Sequence, residues 1–174
     1  MSVFTSKKIL TLVLTLNEKE KKILLGMKKR GFGAGKFNGF GGKVEKGETI
    51  EQGAKRELME ECEIEAIDLE QKGLLAFTFE NDPVALETHI FITRSFLGEP
   101  KETEEMKPQW FSFQDIPFDQ MWTDDRYWFP FLLDNKTFAG HFHFAEDQKS
   151  VLKQDLHELE KLPAGFDLDH ACLL

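Results

Sequence analysis

The sequence predicts a layered α+β protein, because runs of strands lie before and after one central helix along the chain. Segments with the composition and alternation of β-strands recur along most of the chain. They flank a single central helical segment and do not alternate with helices, which argues against regular βαβ winding. Hydrophobic residues make up 41% of the 174 residues, and 17 of them are phenylalanine, so the chain can bury the core of one domain.

The N-terminal part is predicted to begin with a β-hairpin. Residues 8–16 and 22–28 are apolar segments joined by the charged sequence NEKEKK, which is typical of two strands and their turn. The glycine-rich stretch RGFGAGKFNGFGGK (30–43) follows as a loop. Its glycines have neither the spacing of a P-loop nor that of a dinucleotide-binding loop, so these two kinds of nucleotide site are excluded.

The central helix is predicted at about residues 49–62. Thr49 and Gln52 have the spacing of a capping box, which places the start of the helix. The residues that then follow at helical spacing on one face are apolar: Ile50, Ala54, Leu58 and Cys62.

The C-terminal half contains further predicted strands and a second predicted helix. Strands are predicted at 77–80, 88–97, 109–113 and 137–145, and a helix at about 124–134. Residues 149–161 leave two alternatives, a charged helix or an edge strand built on SVLKQDL. Pro163 and Gly165 end this region, so residues 163–174 are expected to form a loose tail behind a single domain of residues 1–162.

The charge and the apolar segments exclude several functions. The net charge of −9 disfavours nonspecific binding to nucleic acids or anionic membranes, which require a basic face. No apolar run approaches the length of a membrane span, and no targeting signal is complete. We therefore expect a soluble intracellular protein whose partners are small molecules.

Three glutamates crowd the C-terminal half of the central helix. Glu57, Glu60 and Glu61 fall within an arc of about 100° next to the apolar stripe. Like charges at these spacings repel each other, and the helix dipole repels anions near this end. A solvated acidic face is one explanation. The other is a divalent cation such as Mg²⁺, which prefers carboxylate oxygens, with Arg56 orienting one carboxylate.

The spacing of these residues resembles the Nudix box. The pattern reads Gly42-x5-Glu48-x7-Arg56-Glu57-Leu58-x-Glu60-Glu61, followed by Ile64 at the final aliphatic position. Glu63 stands where the family has a glycine, and this departure puts the exit from the helix in doubt. The resemblance implies a Nudix fold, an α/β/α sandwich with a central mixed sheet. It also implies hydrolysis of a nucleoside diphosphate linked to another group.

The same resemblance implies the catalytic and metal-binding residues. The Mg²⁺ ligands would be Glu57, Glu60, Glu61 and the carbonyl of Gly41, with Mn²⁺ as an alternative ion. Glu48 would brace its loop by pairing with Arg56. Glu105, in the loop KETEEMK, resembles an additional ligand, although it is also one more acid in a charged loop.

Other segments restrict the class of substrate that the resemblance implies. LLGMKKRGFGAGKFNGFGGKVEKGETIE, WFPFLL and MWTDDRYWFP, within Thr11 to Phe144, are similar to Nudix hydrolases of oxidised purine nucleoside triphosphates. Such enzymes convert 8-oxo-dGTP and 2-hydroxy-dATP to the monophosphate and pyrophosphate, which keeps damaged nucleotides out of DNA. We then expect a monomer in the cytosol, with the mitochondrial matrix and the nucleus as further compartments. Hydrolysis of another nucleotide, such as a dinucleoside polyphosphate or a nucleotide sugar, is the alternative; a silent binding module would usually have lost the box glutamates.

The candidate substrate-binding residues follow from this resemblance and from side-chain chemistry. Asn38 can pair with a purine edge, since its amide both donates and accepts, but an Asn-Gly turn also explains it. Asp124 and Asp125 would face the base, or would only stabilise the first turn of a helix. Trp122 would stack on the base, and Lys43 would offset phosphate charge. The resemblance assigns to the nucleotide site Thr11, Lys28, Phe32, Asn38, Phe40, Gly41, Gly42, Lys43, Phe77, Phe79, Met106, Trp122, Thr123, Asp124 and Asp125.

Overall fold

The computed structural model describes residues 4–167, which form ten β-strands, two α-helices and one 3-10 helix. In chain order the elements are β1 (Ser6–Asn17), β2 (Lys22–Lys28), β3 (Phe37–Asn38), α1 (Ile50–Cys62), β4 (Glu65–Ala66), β5 (Glu70–Phe79), β6 (Val84–Thr93), β7 (Phe96–Leu97), β8 (Met106–Ser112), the 3-10 helix (Phe118–Gln120), α2 (Asp125–Leu133), β9 (Phe138–Phe144) and β10 (Val151–Glu158). The chain divides into two compact units. The first unit contains residues 11–71 and 91–122, and the second contains the described residues before 11, between 72 and 90, and after 122.

In the first unit, β2 is the central strand. It pairs antiparallel with β8 along its whole length, from Lys22 opposite Ser112 to Lys28 opposite Met106. The start of β2 pairs with the end of β1, and its second half pairs with β3. Phe40 then forms an isolated bridge with Val13 of β1. The glycine-rich segment after β3 is thereby held beside β1.

Helix α1 packs its predicted apolar stripe into the core of this unit. Ala54, Leu58 and Cys62 are completely buried among residues of β1, β2 and β8, and Ile50 packs at the edge of the same cluster. Burying a leucine side chain such as that of Leu58 stabilises the fold by about 1.5–3 kcal/mol. The stripe predicted from helical spacing is confirmed.

The ends of α1 explain why the helix has these bounds. The Thr49 hydroxyl accepts a hydrogen bond from the Gln52 N–H at 3.1 Å, and the Gln52 side chain accepts one from the Thr49 N–H at 2.8 Å, so the predicted capping box is confirmed. At the other end, Glu63 adopts the left-handed conformation, with φ 61° and ψ 32°. This is the conformation that glycine usually supplies after a helix, so the exit is retained at a cost of about 1–2 kcal/mol.

In the second unit, parallel and antiparallel strands are combined. β9 runs parallel to β5, from Phe138 opposite Gly73 to Phe144 opposite Phe79. β10 pairs antiparallel with the other edge of β9. Helix α2 contributes Trp128, which stacks on Phe138 of β9 at a centroid distance of 5.8 Å. The predicted mixture of strand directions is confirmed.

Several predicted segments have different bounds in the structure. β8 begins at Met106, three residues before the predicted 109–113, and Phe37–Asn38 of the predicted loop 30–43 form strand β3. β5 begins at Glu70, seven residues before the predicted 77–80, because Lys72 and Gly73 lie in a buried strand despite their composition. β6 spans Val84–Thr93, whereas the prediction is 88–97. The Asp68 carboxylate accepts hydrogen bonds from the N–H groups of Arg94 and Ser95, which ends the strand with a turn that the sequence does not signal. Residues 151–158 form the edge strand β10, which decides between the two alternatives.

The predicted loose tail is corrected for residues 163–167. Phe166 is only 8% exposed and packs against Leu74, Ala76 and Ala139. Its N–H donates to Glu87 Oε1 at 2.6 Å, and its carbonyl accepts from Lys7 Nζ at 2.5 Å. Residues 168–174 of the predicted tail lie outside the described residues, and the single domain stays a prediction. Neither helix within 4–167 is long and apolar enough to cross a membrane.

Candidate active site

Arg56 is the central cation of the acidic cluster on α1. Its Nε and Nη2 donate to the two carboxylate oxygens of Glu48 at 3.0 and 2.7 Å, and Nη2 also donates to the Lys43 carbonyl at 3.0 Å. The hydrogen bond from Arg56, helped by the Glu45 N–H, lowers the pKa of Glu48 to about 2. The loop before the helix is therefore fixed on the helix by one bidentate ion pair.

The same guanidinium also contacts two of the crowded glutamates. Arg56 Nη1 donates to Glu57 Oε1 at 2.9 Å and to Glu60 Oε2 at 3.2 Å. The acids are thus partly compensated, and Arg56 contacts two of the crowded carboxylates, not only the one predicted. Because Arg56 is shared among Glu48, Glu57 and Glu60, it neutralises only part of their charge.

Glu61 is the most buried carboxylate of this cluster. It is 4% exposed, and its Oε1 accepts a hydrogen bond from the Gly41 N–H at 2.7 Å. Burial raises the pKa of Glu61 to about 7, against the opposing effect of that hydrogen bond. Burial also raises the pKa of Glu57, although Arg56 acts in the opposite direction. The last turn of α1 contains no basic residue, so this end of the helix lacks a cation of its own.

Gly41 and Gly42 bring the backbone directly against the acids. A Cβ atom at Gly42 would lie 2.7 Å from the Glu57 carboxylate. A Cβ at Gly41 would lie 1.8 Å from the Thr11 carbonyl oxygen, since this segment hydrogen bonds to β1. Gly41 therefore requires glycine for steric reasons, whereas a side chain at Gly42 would displace the Glu57 carboxylate.

Glu105 is held by a cation that the sequence does not reveal. Arg30 donates to Glu105 Oε1 from Nε at 2.9 Å and from Nη2 at 2.5 Å, and this hydrogen bonding lowers the pKa of Glu105. Among residues 4–167, no three His, Cys, Asp or Glu side chains are grouped so as to hold a metal ion. The structure thus places Glu57, Glu60 and Glu61 on one helix but leaves the Glu105 carboxylate with Arg30.

The donor set of the first unit nevertheless suits a hard divalent cation. Carboxylate and carbonyl oxygens are the ligands that Mg²⁺ prefers. Glu57 and Glu61 are carboxylates whose charged forms are disfavoured by burial, and a cation would relieve that cost. Arg56 and Arg30 hold carboxylates that such an ion would also attract.

An aromatic pair and a lysine form a second group in the first unit. The rings of Phe32 and Trp122 lie 4.8 Å apart at an angle of 32°, and Lys36 Nζ lies 5.4 Å from the Trp122 ring centroid. Phe32 is otherwise exposed. The Asn38 side-chain oxygen accepts a hydrogen bond from the Gly39 N–H at 2.8 Å, a local bond that the turn interpretation also explains.

Asp124 and Asp125 lie in the second unit and are almost completely buried, at 4% and 2% exposure. Asp124 makes no side-chain cap to α2; its Oδ2 accepts from Trp128 Nε1 at 2.8 Å. Asp125 Oδ2 is buried and has no hydrogen-bond partner in the described part of the chain. Burial raises the pKa of Asp124 to about 6, and burial together with the Asp124 charge raises that of Asp125 further above its ordinary value. A neutral aspartic acid of this pair can donate a hydrogen bond as well as accept one.

The remaining candidate residues differ in their exposure. Thr11, Phe40, Phe79 and Met106 are buried, Lys28, Phe77 and Thr123 are partly exposed, and Lys43 is exposed. The Phe40 and Met106 side chains belong to the hydrophobic cluster that packs against α1. Whether these side chains contact a ligand stays a prediction.

Trp128, Arg30 and Lys36 are site residues that the prediction from sequence lacks. Trp128 follows Asp124 by four residues on a helix, a spacing that could have revealed the contact. Arg30 precedes its partner Glu105 by 75 residues, and no local pattern connects them.

The chain is similar to known proteins in sequence and in fold. The NUDIX domain pattern matches residues 7–132. The chain is 50% identical over 156 residues to the oxidized purine nucleoside triphosphate hydrolase of Mus musculus, covering 90% of this chain and 98% of that protein. The protein of the same name from Danio rerio is 49% identical over 160 residues, covering 92% and 100%. A solved MutT protein from Bacillus halodurans has a TM-score of 0.75 at 26% identity, covering 86% of this chain and 97% of that one, which confirms the predicted fold class.

Proposed function

Since this chain belongs to the NUDIX family, we propose that it hydrolyses oxidised purine nucleoside triphosphates to the monophosphate and pyrophosphate. The two curated relatives, which match nearly their whole length at 49–50% identity, carry the name of this activity. Their similarity supports the substrate class over a dinucleoside polyphosphate or a nucleotide sugar. The cellular role that follows is removal of damaged precursors, such as 8-oxo-dGTP and 2-hydroxy-dATP, before they enter DNA.

The acidic cluster on α1 is the proposed centre of the reaction. Glu57, Glu60, Glu61 and the Gly41 carbonyl would hold Mg²⁺, or Mn²⁺ in its place, together with Glu105. When bound, the ion would supply positive charge to the phosphate groups and make water a better nucleophile. Arg56 orients two of these carboxylates by direct hydrogen bonds, and Glu48 holds Arg56 in place.

The loop of glycines supplies the surface for the phosphates. Gly42 leaves no side chain between the backbone and the Glu57 carboxylate, so a phosphate could approach this segment closely. The Lys43 side chain is exposed next to them, while its carbonyl is fixed by Arg56. Its ammonium would offset charge that develops on the phosphates in a loose transition state.

The buried Asp124–Asp125 pair is the observation that carries base recognition. Two adjacent carboxyl groups without a capping role are costly to bury, and sites that break local rules in this way are often functional. Because their raised pKa values favour a neutral form, the pair can offer both donors and acceptors. This property suits oxidised guanine and oxidised adenine, whose hydrogen-bonding edges differ.

Asn38, Trp122 and Phe32 are the proposed base-binding residues of the first unit. The exposed face of Phe32 and the Trp122 ring beside it offer aromatic surface to a purine. The Asn38 amide group adds a donor that its bond to Gly39 does not use. The monomeric state and the cellular compartment stay predictions.

A nucleotide panel tests this function. Purified protein with Mg²⁺ or with EDTA would be given 8-oxo-dGTP, 2-hydroxy-dATP, their unmodified counterparts, dCTP, a dinucleoside polyphosphate and a nucleotide sugar. Phosphate and pyrophosphate would be quantified separately. We expect Mg²⁺-dependent release of pyrophosphate from the two oxidised purines above all others. Preference for the polyphosphate or the sugar would overturn the substrate assignment.

Matched variants of α2 test the role of the aspartates. Asp124→Ala and Asp125→Ala should each lose about ten- to a hundred-fold in kcat/KM for oxidised purines, because buried partners are left unpaired. The penalties should differ between the two oxidised substrates. Asp134→Asn, at the exposed end of the same helix, is the control and should leave activity unchanged. Equal losses on all triphosphates, dCTP included, would reduce the pair to a structural role.

A further inference from the structure

The Thr103 hydroxyl connects the end of α1 with the turn that carries Glu105. It donates a hydrogen bond to the Glu61 carbonyl at 2.9 Å. It also accepts from the N–H groups of Glu105 and Met106 at 3.2 and 3.3 Å. A hydroxyl group has one proton and two lone pairs, so these three contacts use all of its capacity.

Other bonds hold the same turn from the side of β2. The Lys29 N–H donates to the Glu105 carbonyl at 2.9 Å, and Lys29 Nζ donates to the Thr103 carbonyl at 2.9 Å. The Thr103 N–H donates to the Met106 carbonyl at 3.0 Å, which closes the turn. The backbone of Glu105 is thus held between the end of β2 and the end of α1.

The contact with Glu61 also satisfies a backbone carbonyl at the C-terminal end of α1. The last carbonyls of a helix lack intrahelical partners and must find donors elsewhere. Thr103 supplies such a donor to Glu61, and the Lys101 N–H supplies one to Cys62 at 3.0 Å. The helix end and the Glu105 turn therefore share one connection, and a shift in either is transmitted to the other.

We propose that Thr103 is a positioning residue that fixes the backbone of Glu105 relative to that of Glu61. The inference deepens the proposed function, in which both glutamates are ligands of the divalent cation. The Glu105 carboxylate is bound by Arg30 in the structure. It can leave Arg30 and bind an incoming ion only if the Glu105 backbone already lies at the correct distance from that of Glu61. Thr103 sets that distance through its hydroxyl and contacts neither ion nor substrate.

Three variants and one metal titration test this role. Thr103→Val keeps the size of the side chain but removes the hydroxyl, and Thr103→Ser keeps the hydroxyl. Thr93→Val is the matched control, since Thr93 is a buried threonine of the same unit whose hydroxyl contacts Asp68 and the Ser95 carbonyl at 2.8 and 2.9 Å. Binding of Mn²⁺ to the full chain without nucleotide would be followed by electron paramagnetic resonance, with thermal melts for each variant. If the valine variant does not fold, Thr103→Ala makes the same comparison.

We expect Thr103→Val to bind Mn²⁺ about ten-fold more weakly or worse, as is usual for loss of a group that orients ligands. Thr103→Ser should restore most of the affinity, and Thr93→Val should keep it. The Mg²⁺ concentration for half-maximal turnover should rise in Thr103→Val more than kcat at saturating Mg²⁺ falls. Wild-type affinity in Thr103→Val, or equal weakening in Thr93→Val, would overturn the inference while the proposed function stands. Failure of the unmodified chain to bind Mn²⁺ would overturn both.

Discussion

Replacement of Glu87 by glutamine is expected to destabilise the second unit in a pH-dependent way. The Glu87 carboxylate is 3% exposed and accepts hydrogen bonds from Lys7 Nζ, His89 Nε2 and the Phe166 N–H at 2.9, 2.8 and 2.6 Å. Burial alone would raise its pKa, but the bonds from His89, Lys7 and Phe166 lower it from 4.5 to about 2. The carboxylate therefore anchors the C-terminal segment to β6.

The size of the effect follows from this pKa. A pKa that is about 2.5 lower in the folded state than in the unfolded state corresponds to roughly 3 kcal/mol of stability. Because the folded pKa is the lower one, this stability is fully present above pH 4.5 and is lost as the pH falls towards 2. For a chain of this size, about 3 kcal/mol amounts to roughly 6–12 °C in melting temperature.

Urea unfolding at pH 7 and at about pH 3 measures this effect. Glu87→Gln should lower the free energy of unfolding by about 3 kcal/mol at pH 7 and by much less at the acidic pH. Glu158→Gln, which changes an exposed glutamate of β10, is the control and should have little effect. An unchanged stability of Glu87→Gln at pH 7, or a loss that persists undiminished at pH 3, would refute the reasoning.

Ending the chain after Leu162 should also lower the melting temperature, because it removes Phe166.

Three further predictions concern the candidate active site. Glu61→Gln should abolish Mg²⁺-dependent turnover. In EDTA the variant should be as stable as the wild type or more stable above pH 7, because burial makes the charged form of Glu61 costly. Turnover near that of the wild type at saturating Mg²⁺ would contradict this prediction. Asp125→Asn should raise the melting temperature most at alkaline pH. The reason is that the folded pKa of Asp125 is raised, so the wild type gains stability as the pH falls. A change in melting temperature that is the same at every pH between 5 and 9 would be the contrary result. Gly42→Ala should lower kcat at least about ten-fold, because its Cβ would lie 2.7 Å from the Glu57 carboxylate; wild-type kinetics would show that the loop can move away at little cost.

Local patterns were enough to place helix α1 and the acids that it carries. The capping box and the apolar stripe involve residues three or four positions apart, so helix geometry alone relates them. The spacing from Gly42 to Glu61 likewise identified the family before any contact was known. Strands were less well placed, because the bounds of β5 and β6 depend on burial and on the distant Asp68.

The sequence by itself determined the family, the helix, and the residue types available for the reaction, since each is encoded over short separations. Only the tertiary structure decided which cation each carboxylate contacts and how deeply it is buried. Arg30 is hydrogen bonded to Glu105, 75 positions away in the sequence, and Glu87 is hydrogen bonded to Phe166, 79 positions away. The pKa of a glutamate depends on such neighbours and on solvent exposure, so the buried state of Glu61 and the anchored tail required the folded chain.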